Sequence, residues 1–264
     1  ELRVGDVVEV QTSGGLTASV EIIPMEGAVD ANADTISGQI SGKPNADIRG
    51  EVWGVDDGPR VDDVTDGAGN YLVDFGPFDV LPGHMVFLSY VQPDGHQVGI
   101  IRHALHLDVD TTRDEVRGET WANVPVTITV NGGETLKTTS DAEGDFWIEF
   151  TTDITASDTV EGWAGTGTQH ASLVVETVTA HVDDANDKVW GYGPPYSGSN
   201  DNINVGVDGD WRWTRTDATG YYEVQYDWDI TPDDEVGVEY QYPSGHQTRY
   251  GFGPPDVRVN KWVP

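Results

Sequence analysis

The sequence predicts an all-β fold, three tandem β-sandwich repeats of about 75 residues with partial repeats at both ends, and three observations predict it. The first is a recurring motif, a hydroxyl residue and Asp followed three residues later by Gly: Thr65-Asp66 to Gly69, Ser140-Asp141 to Gly144 and Thr216-Asp217 to Gly220. Asp66 and Asp141 are 75 residues apart, and Asp141 and Asp217 are 76 apart, which is the signature of a tandem array. The second is an alternating triplet just after each motif. Tyr71/Val73/Phe75, Phe146/Ile148/Phe150 and Tyr222/Val224/Tyr226 alternate with polar residues, the period-two pattern of a strand with one buried face. The third is composition: 32 Gly, 14 Pro and scattered Thr, Val, Tyr and Trp favour short strands and turns, with no helical run longer than about two turns.

Each element arises from local chemistry. Asp accepts bonds from backbone N–H groups ahead of it and Gly takes positive φ without strain, so each motif is a turn that opens a strand. After that strand comes Asp79-Val80, Asp153-Ile154 or Asp229-Ile230, then a further alternating strand around Val86 and Leu88, Val160, or Val236 and Val238. The loops Asp94–Gln97, Gly165–Gln169 and Ser244–Gln247 come next, in register. The boundary between repeats reads as strand, Asp-bearing turn and strand at Val29 to Gly38, Val109 to Gly118 and Val182 to Gly191. These marks divide the chain at 1–28 (closing strands of a partial repeat), 29–107, 108–181, 182–255 and 256–264 (an opening or donor strand), a linear array. The segment Tyr192 to Asn204, rich in Gly, Pro, Ser and Asn, is expected to be a longer loop.

The order from Ile36-Ser37-Gly38 through Val73, and from Val116-Arg117-Gly118 through Ile148, resembles the carboxypeptidase-regulatory and transthyretin-like β-sandwich repeats. The continuation through Asp153-Ile154 or Asp229-Ile230, Pro232-Asp233 and the Gly-His-Gln or Gly-Thr-Gln loop is similar to tandem Ig-like repeats of large bacterial surface proteins. That resemblance implies an extracellular or cell-surface structural protein: a subunit or segment of a filament, stalk or layer. Its alternative implication is an adhesin or carbohydrate-binding array. The sequence has no G-x-S-x-G nucleophile elbow and no H-E-x-x-H pattern, so an enzyme is not expected.

Charge narrows the partners. Forty-six acidic against fourteen basic residues give −32, which disfavours nucleic acid and anionic membranes because neutralising phosphate needs Lys and Arg. No stretch reads as a membrane span, and with no cysteine the repeats are held without disulfides. Asp30, Asp34, Asp108, Asp110, Asp114, Asp183, Asp184 and Asp187 recur at repeat boundaries, where hard oxygens suit structural Ca²⁺. Asp is also a common turn residue, and both readings stand at this point. Asp141 to Asp145 lacks the spacing of a calcium loop and reads as a turn. The seven histidines lack a zinc-ligand pattern and are expected to be solvated or strand-exposed. No catalytic residue is assigned. Trp147 alternates with the core residues Phe146 and Ile148 and so faces outward, while Trp211 and Trp213 share a face; these three are candidates for polysaccharide binding or for packing between repeats. For assembly, Val8 and Val10 of the first partial repeat, and Val257, Val259 and Trp262 of the last strand, suggest head-to-tail strand complementation into a homopolymer, or pairing with neighbouring repeats of a longer chain.

Overall fold

The computed structural model describes residues 3–253 apart from 56, 197, 199–201 and 232, so the expected strand with Val257, Val259 and Trp262 lies outside the described residues. The described residues contain 23 strands and no helix. A leading hairpin, β1 (Val7–Gln11) and β2 (Thr17–Glu21), pairs Val8 with Val20 and Val10 with Ala18. Next come β3 (Met25–Asp30), β4 (Thr35–Ile40), β5 (Asp47–Trp53), β6 (Arg60–Val64), β7 (Asn70–Asp74), β8 (Met85–Val91) and β9 (Gln97–Arg102), which form sheets in the order β3-β4-β7 and β6-β5-β8-β9.

The same seven-strand plan repeats. The second set is β10 (Asp108–Asp110), β11 (Glu115–Glu119), β12 (Pro125–Val130), β13 (Thr135–Thr139), β14 (Asp145–Glu149), β15 (Thr159–Ala164) and β16 (Gln169–Val174). The third is β17 (Thr179–Asp183), β18 (Lys188–Tyr192), β19 (Ile203–Val207), β20 (Asp210–Thr214), β21 (Tyr221–Gln225), β22 (Val236–Gln241) and β23 (Gln247–Phe252). Three hydrophobic cores result, dividing between Ala104 and Leu105 and between Val175 and Val178. All nine residues of the alternating triplets are buried in them.

The recurring motif works as a three-part staple. Asp66, Asp141 and Asp217 each present Oδ1 to backbone N–H groups ahead, at 2.8 Å for Ala68, 2.9 Å for Gly144 and 2.7 Å for Thr219. The hydroxyl beside each Asp is buried and donates to a carbonyl on the preceding connection: Thr65 to Lys43, Ser140 to Trp121 and Thr216 to Pro194. Gly144 sits at φ 101°, and a Cβ there would come within 2.2 Å of the Thr120 carbonyl oxygen, so the turn admits no side chain.

The repeats are not a simple row of beads, as the linear spacing suggests. β10 of the second repeat pairs in parallel with β23 of the third, Val109 opposite Thr248, and joins their sheets into one of seven strands, β14-β11-β10-β23-β22-β19-β20. The sequence pattern marks β10 as a strand but carries nothing about a lateral partner from another repeat.

Candidate functional site

The boundary aspartates turn out to be staples as well. Asp34, Asp114 and Asp187 adopt φ of 55°, 56° and 53°, a left-handed conformation that Asp tolerates better than most residues. Their Oδ1 atoms accept the N–H groups of Val80, Ile154 and Ile230 at 2.9, 2.8 and 3.1 Å. Asp30 accepts from Asn32 N–H at 2.9 Å and Asp110 from Thr112 N–H at 2.9 Å, while Asp183 accepts from the Asn186 side chain at 2.9 Å and Asp184 stands exposed in its turn. Asp108 is buried, and its Oδ2 lies 3.2 Å from Arg249. Among the described residues no three His, Asp or Glu side chains converge as a metal cage, so one turn alone does not fit calcium.

The first two boundary turns dock onto the following repeat. The Gln169 amide, buried in the second repeat, donates to Asp30 Oδ1 at 3.1 Å and accepts from Ala31 N–H at 3.3 Å. The Asn32 amide donates to the Thr168 carbonyl at 2.6 Å, and the Trp121 indole N–H to the Val29 carbonyl at 2.8 Å. At the next boundary the contact is mainly along the backbone: Gln247 N–H donates to the Leu107 carbonyl at 2.9 Å and Thr111 N–H to the Arg249 carbonyl at 3.0 Å, with the Thr112 hydroxyl Oγ1 accepting from Gly251 N–H at 2.9 Å.

Four of the histidines meet where all three repeats touch, which corrects the expectation of solvated histidines. His84 and His103 of the first repeat and His246 of the third are buried, with His106 half-buried between them; the His106 ring centroid lies 5.0 Å from that of His103 and 6.2 Å from that of His246. A Cβ on Gly245 would fall 2.0 Å from the Gly83 carbonyl oxygen, a measure of how closely the two loops approach. His246 Nδ1 accepts from Leu107 N–H at 3.2 Å and His84 Nδ1 from Leu81 N–H at 3.1 Å, so both are held neutral. Burial pushes His103 and His246 down to about 4 and His106 well below the usual imidazole value. Burial likewise pushes Glu119, whose carboxylate lies 3.8 Å from His103 Nε2, up to about 7. His96, in the first repeat's equivalent of the His246 loop, gives the sequence signal, but nothing in the sequence says that the third loop reaches back to the first repeat.

The parallel β10–β23 pair brings the three outward tryptophans onto one sheet face. Registers of directly paired residues run Trp213–Asn204–Glu239–Arg249–Asp110–Glu115 and Asp108–Arg117–Trp147 across the seven strands. Trp147, Trp211 and Trp213 are 52%, 41% and 49% exposed. Between them lies a polar network. Trp147 donates to Glu115 at 2.7 Å, Glu115 pairs with Arg117, the Asn204 amide donates to Glu239 at 3.0 Å, and Arg249 bridges Glu239 and Asp108. Burial raises the Asp108 carboxyl to about 6 against the pull of Arg249. Asp108 Oδ1, Asn204 Oδ1 and Arg249 Nε are buried without a hydrogen-bond partner among the described residues.

No protein-family model and no curated protein sequence matches this chain. Among solved structures it is similar to a Ca²⁺-stabilised adhesin that helps an Antarctic bacterium reach out and bind ice, at 15% identity over 94% of this chain and 80% of that one, with a TM-score of 0.23. A tetra-tandem repeat in the extending region of a large adhesion protein is similar at 18% identity over 93% and 79%, with a TM-score of 0.23. The central fibronectin-III array of RIM-binding protein is similar at 11% identity over 86% and 92%, with a TM-score of 0.24. None of these likenesses supplies a residue role or an activity for this chain.

Proposed function

We propose that the chain is a structural segment of an extracellular, cell-surface assembly, a filament, stalk or layer built from β-sandwich repeats. The observation that carries this reading is the single seven-stranded sheet running through two repeats, with boundary turns that dock each repeat onto the next. Such docking makes successive sandwiches one body instead of beads on flexible tethers. The leading hairpin supports assembly by strand complementation: β1 and β2 pair only with each other among the described residues, and Val7 and Val10 are exposed. An edge of this kind recruits a further strand. Deleting residues 256–264 should abolish polymers seen by electron microscopy while leaving the circular dichroism spectrum intact; polymers that persist would sink head-to-tail complementation. Structural calcium belongs to the same proposal, with a neighbouring repeat supplying the oxygens that one turn lacks. In those preparations calcium should then promote polymers more than sodium at matched ionic strength, and equal effects would remove calcium from the reading. A second reading, glycan adhesion, is favoured by one observation, the grouping of Trp147, Trp211 and Trp213 on one face.

A further inference from the structure

We infer that the cleft floored by Trp211, at the seam between the second and third repeats, is a binding site for a pyranose ring of a neutral polysaccharide. The cleft has a volume of about 370 Å³, and its lining includes Asp110 and Arg113 from the second repeat and Asp208, Trp211, Glu235 and Arg249 from the third. That volume is at the small end for ligand sites and accommodates one or two sugar rings, not a folded partner.

The floor is built for a flat ligand. Trp211 pairs across the strand with Gly206, and Gly206 pairs with Gly237. A Cβ on Gly206 would stand 2.7 Å from the indole and one on Gly237 3.0 Å from it, so the two glycines let the ring lie down on the sheet. One ring face then rests on backbone while the residue stays 41% exposed. The same three positions hold Arg60, Glu51 and Phe87 in the first repeat and Thr135, Thr129 and Glu161 in the second, so the glycine bed is confined to the third. An open indole face takes the C–H face of a pyranose, an amphipathic contact suited to an aromatic ring.

The walls supply the polar half of the recognition. Carboxylates of Asp110, Asp208 and Glu235 accept from sugar hydroxyls, and the guanidinium groups of Arg113 and Arg249 donate. Arg113 reaches across the seam to Glu235 at 3.6 Å, and the Arg249 guanidinium lies 5.9 Å from the Trp211 ring centroid with its Nε lacking an acceptor among the described residues. Three carboxylates against two already-paired guanidinium groups, on a chain of charge −32, repel uronate or sulfate and leave neutral glycans as the fitting class.

Affinity electrophoresis in gels containing dextran, glucomannan or xylan, with polygalacturonate and heparin as anionic counterparts, tests the inference. The intact chain should be retarded by at least one neutral polymer and by neither anionic one. Trp211→Ala should weaken that retardation more than about tenfold, the loss expected of an anchoring aromatic, and Glu235→Gln should weaken it less. Trp53→Ala, in the first repeat, should leave it unchanged, and circular dichroism should show each variant folded. Retardation by none of the neutral polymers, retardation by the anionic ones alone, or retardation that survives both Trp211→Ala and Glu235→Gln would overturn the site. Electron microscopy of the Trp211→Ala protein separates this outcome from the structural reading, because a segment that binds no glycan still polymerises.

Discussion

The two boundaries between repeats begin from the same sequence pattern, Val-Asp, three residues and Asp, yet dock in different ways. At the first, Asp30, Ala31 and Asn32 meet Thr168 and Gln169 through side chains, and the two sheets stay separate. At the second, the residues from Leu107 to Thr112 run along β23 and the two sheets become one. Side-chain docking leaves each sandwich free to melt alone, whereas a shared sheet ties the stability of one repeat to that of the next. The common pattern fixes the turn, and the difference lies in what the following repeat presents to it: a buried Gln169 in one case, a free strand edge in the other.

The largest effect should come from breaking the core next to the shared sheet. Phe150 is buried in the second core, and truncating such a ring costs roughly 3–5 kcal/mol. Phe150→Ala should therefore unfold the second repeat and expose β23, while the first repeat keeps its fold. In hydrogen exchange, amides of β22 and β23 should lose protection and those of β4 and β8 should keep it. Unchanged protection in β23 would mean that the second boundary couples the repeats no better than the first.

Acid should act next, through the histidine junction that both boundaries share. His103 and His246 are held neutral in the fold, down from 6.5 to about 4, so the unfolded chain takes up protons that the folded chain refuses. Stability is fully present above about pH 6.5 and is lost as pH falls toward 4, by roughly 3 kcal/mol for each of these two groups at 1.4 kcal/mol per pH unit. Glu119 and Asp108, pushed up to about 7 and about 6, act in the opposite sense over the same range. The four histidines outweigh them, since His84 and His106 are also shifted down by burial. The melting temperature should fall between pH 7 and 4.5. His246→Gln, which retains an acceptor for Leu107 N–H, should flatten that fall; an unaltered pH profile in this variant would remove His246 from the account.

The smallest effect belongs to the first boundary alone. Gln169→Ala removes the hydrogen bonds to Asp30 and Ala31, at a cost of about 1 kcal/mol because both partners are only half-buried and water can replace the amide. Exchange should quicken at Ala31 and Asn32 with β10 and β23 unaffected, and quickening in β10 would show that the two boundaries communicate.

The repeat, its turn motif and the inward triplets were legible because each depends on residues close in sequence. Asp66 caps the turn that Gly69 completes, and Tyr71, Val73 and Phe75 report their own burial by alternation. The outward placement of Trp147 was legible by the same rule, as was the face that Trp211 and Trp213 share, though not that this face is exposed. Their gathering on one face was not, because it depends on β10 lying beside β23, a contact between segments 139 residues apart that leaves no periodicity in either. The histidines misled for a related reason: each is unremarkable locally, and only the return of the Ser244–Gln247 loop to Gly83 buries them. Aspartate spacing pointed at once to turn and to metal, and the backbone N–H groups of Val80, Ile154 and Ile230 account for it as turn.

The parallel sense of the β10–β23 pair has a mechanical consequence. Tension that enters from the first repeat pulls β10 from its beginning, and tension that leaves past Gly253 pulls β23 from its end. In a parallel pair these pulls oppose each other along the strands, so the bonds from Leu107 to Thr112 are loaded together in shear and do not unzip one by one. The force passes directly from one strand to the other. While that latch holds, the two sandwiches between β10 and β23 carry almost none of it, and the cores built around Phe150 and Tyr226 are strained only after the latch has failed.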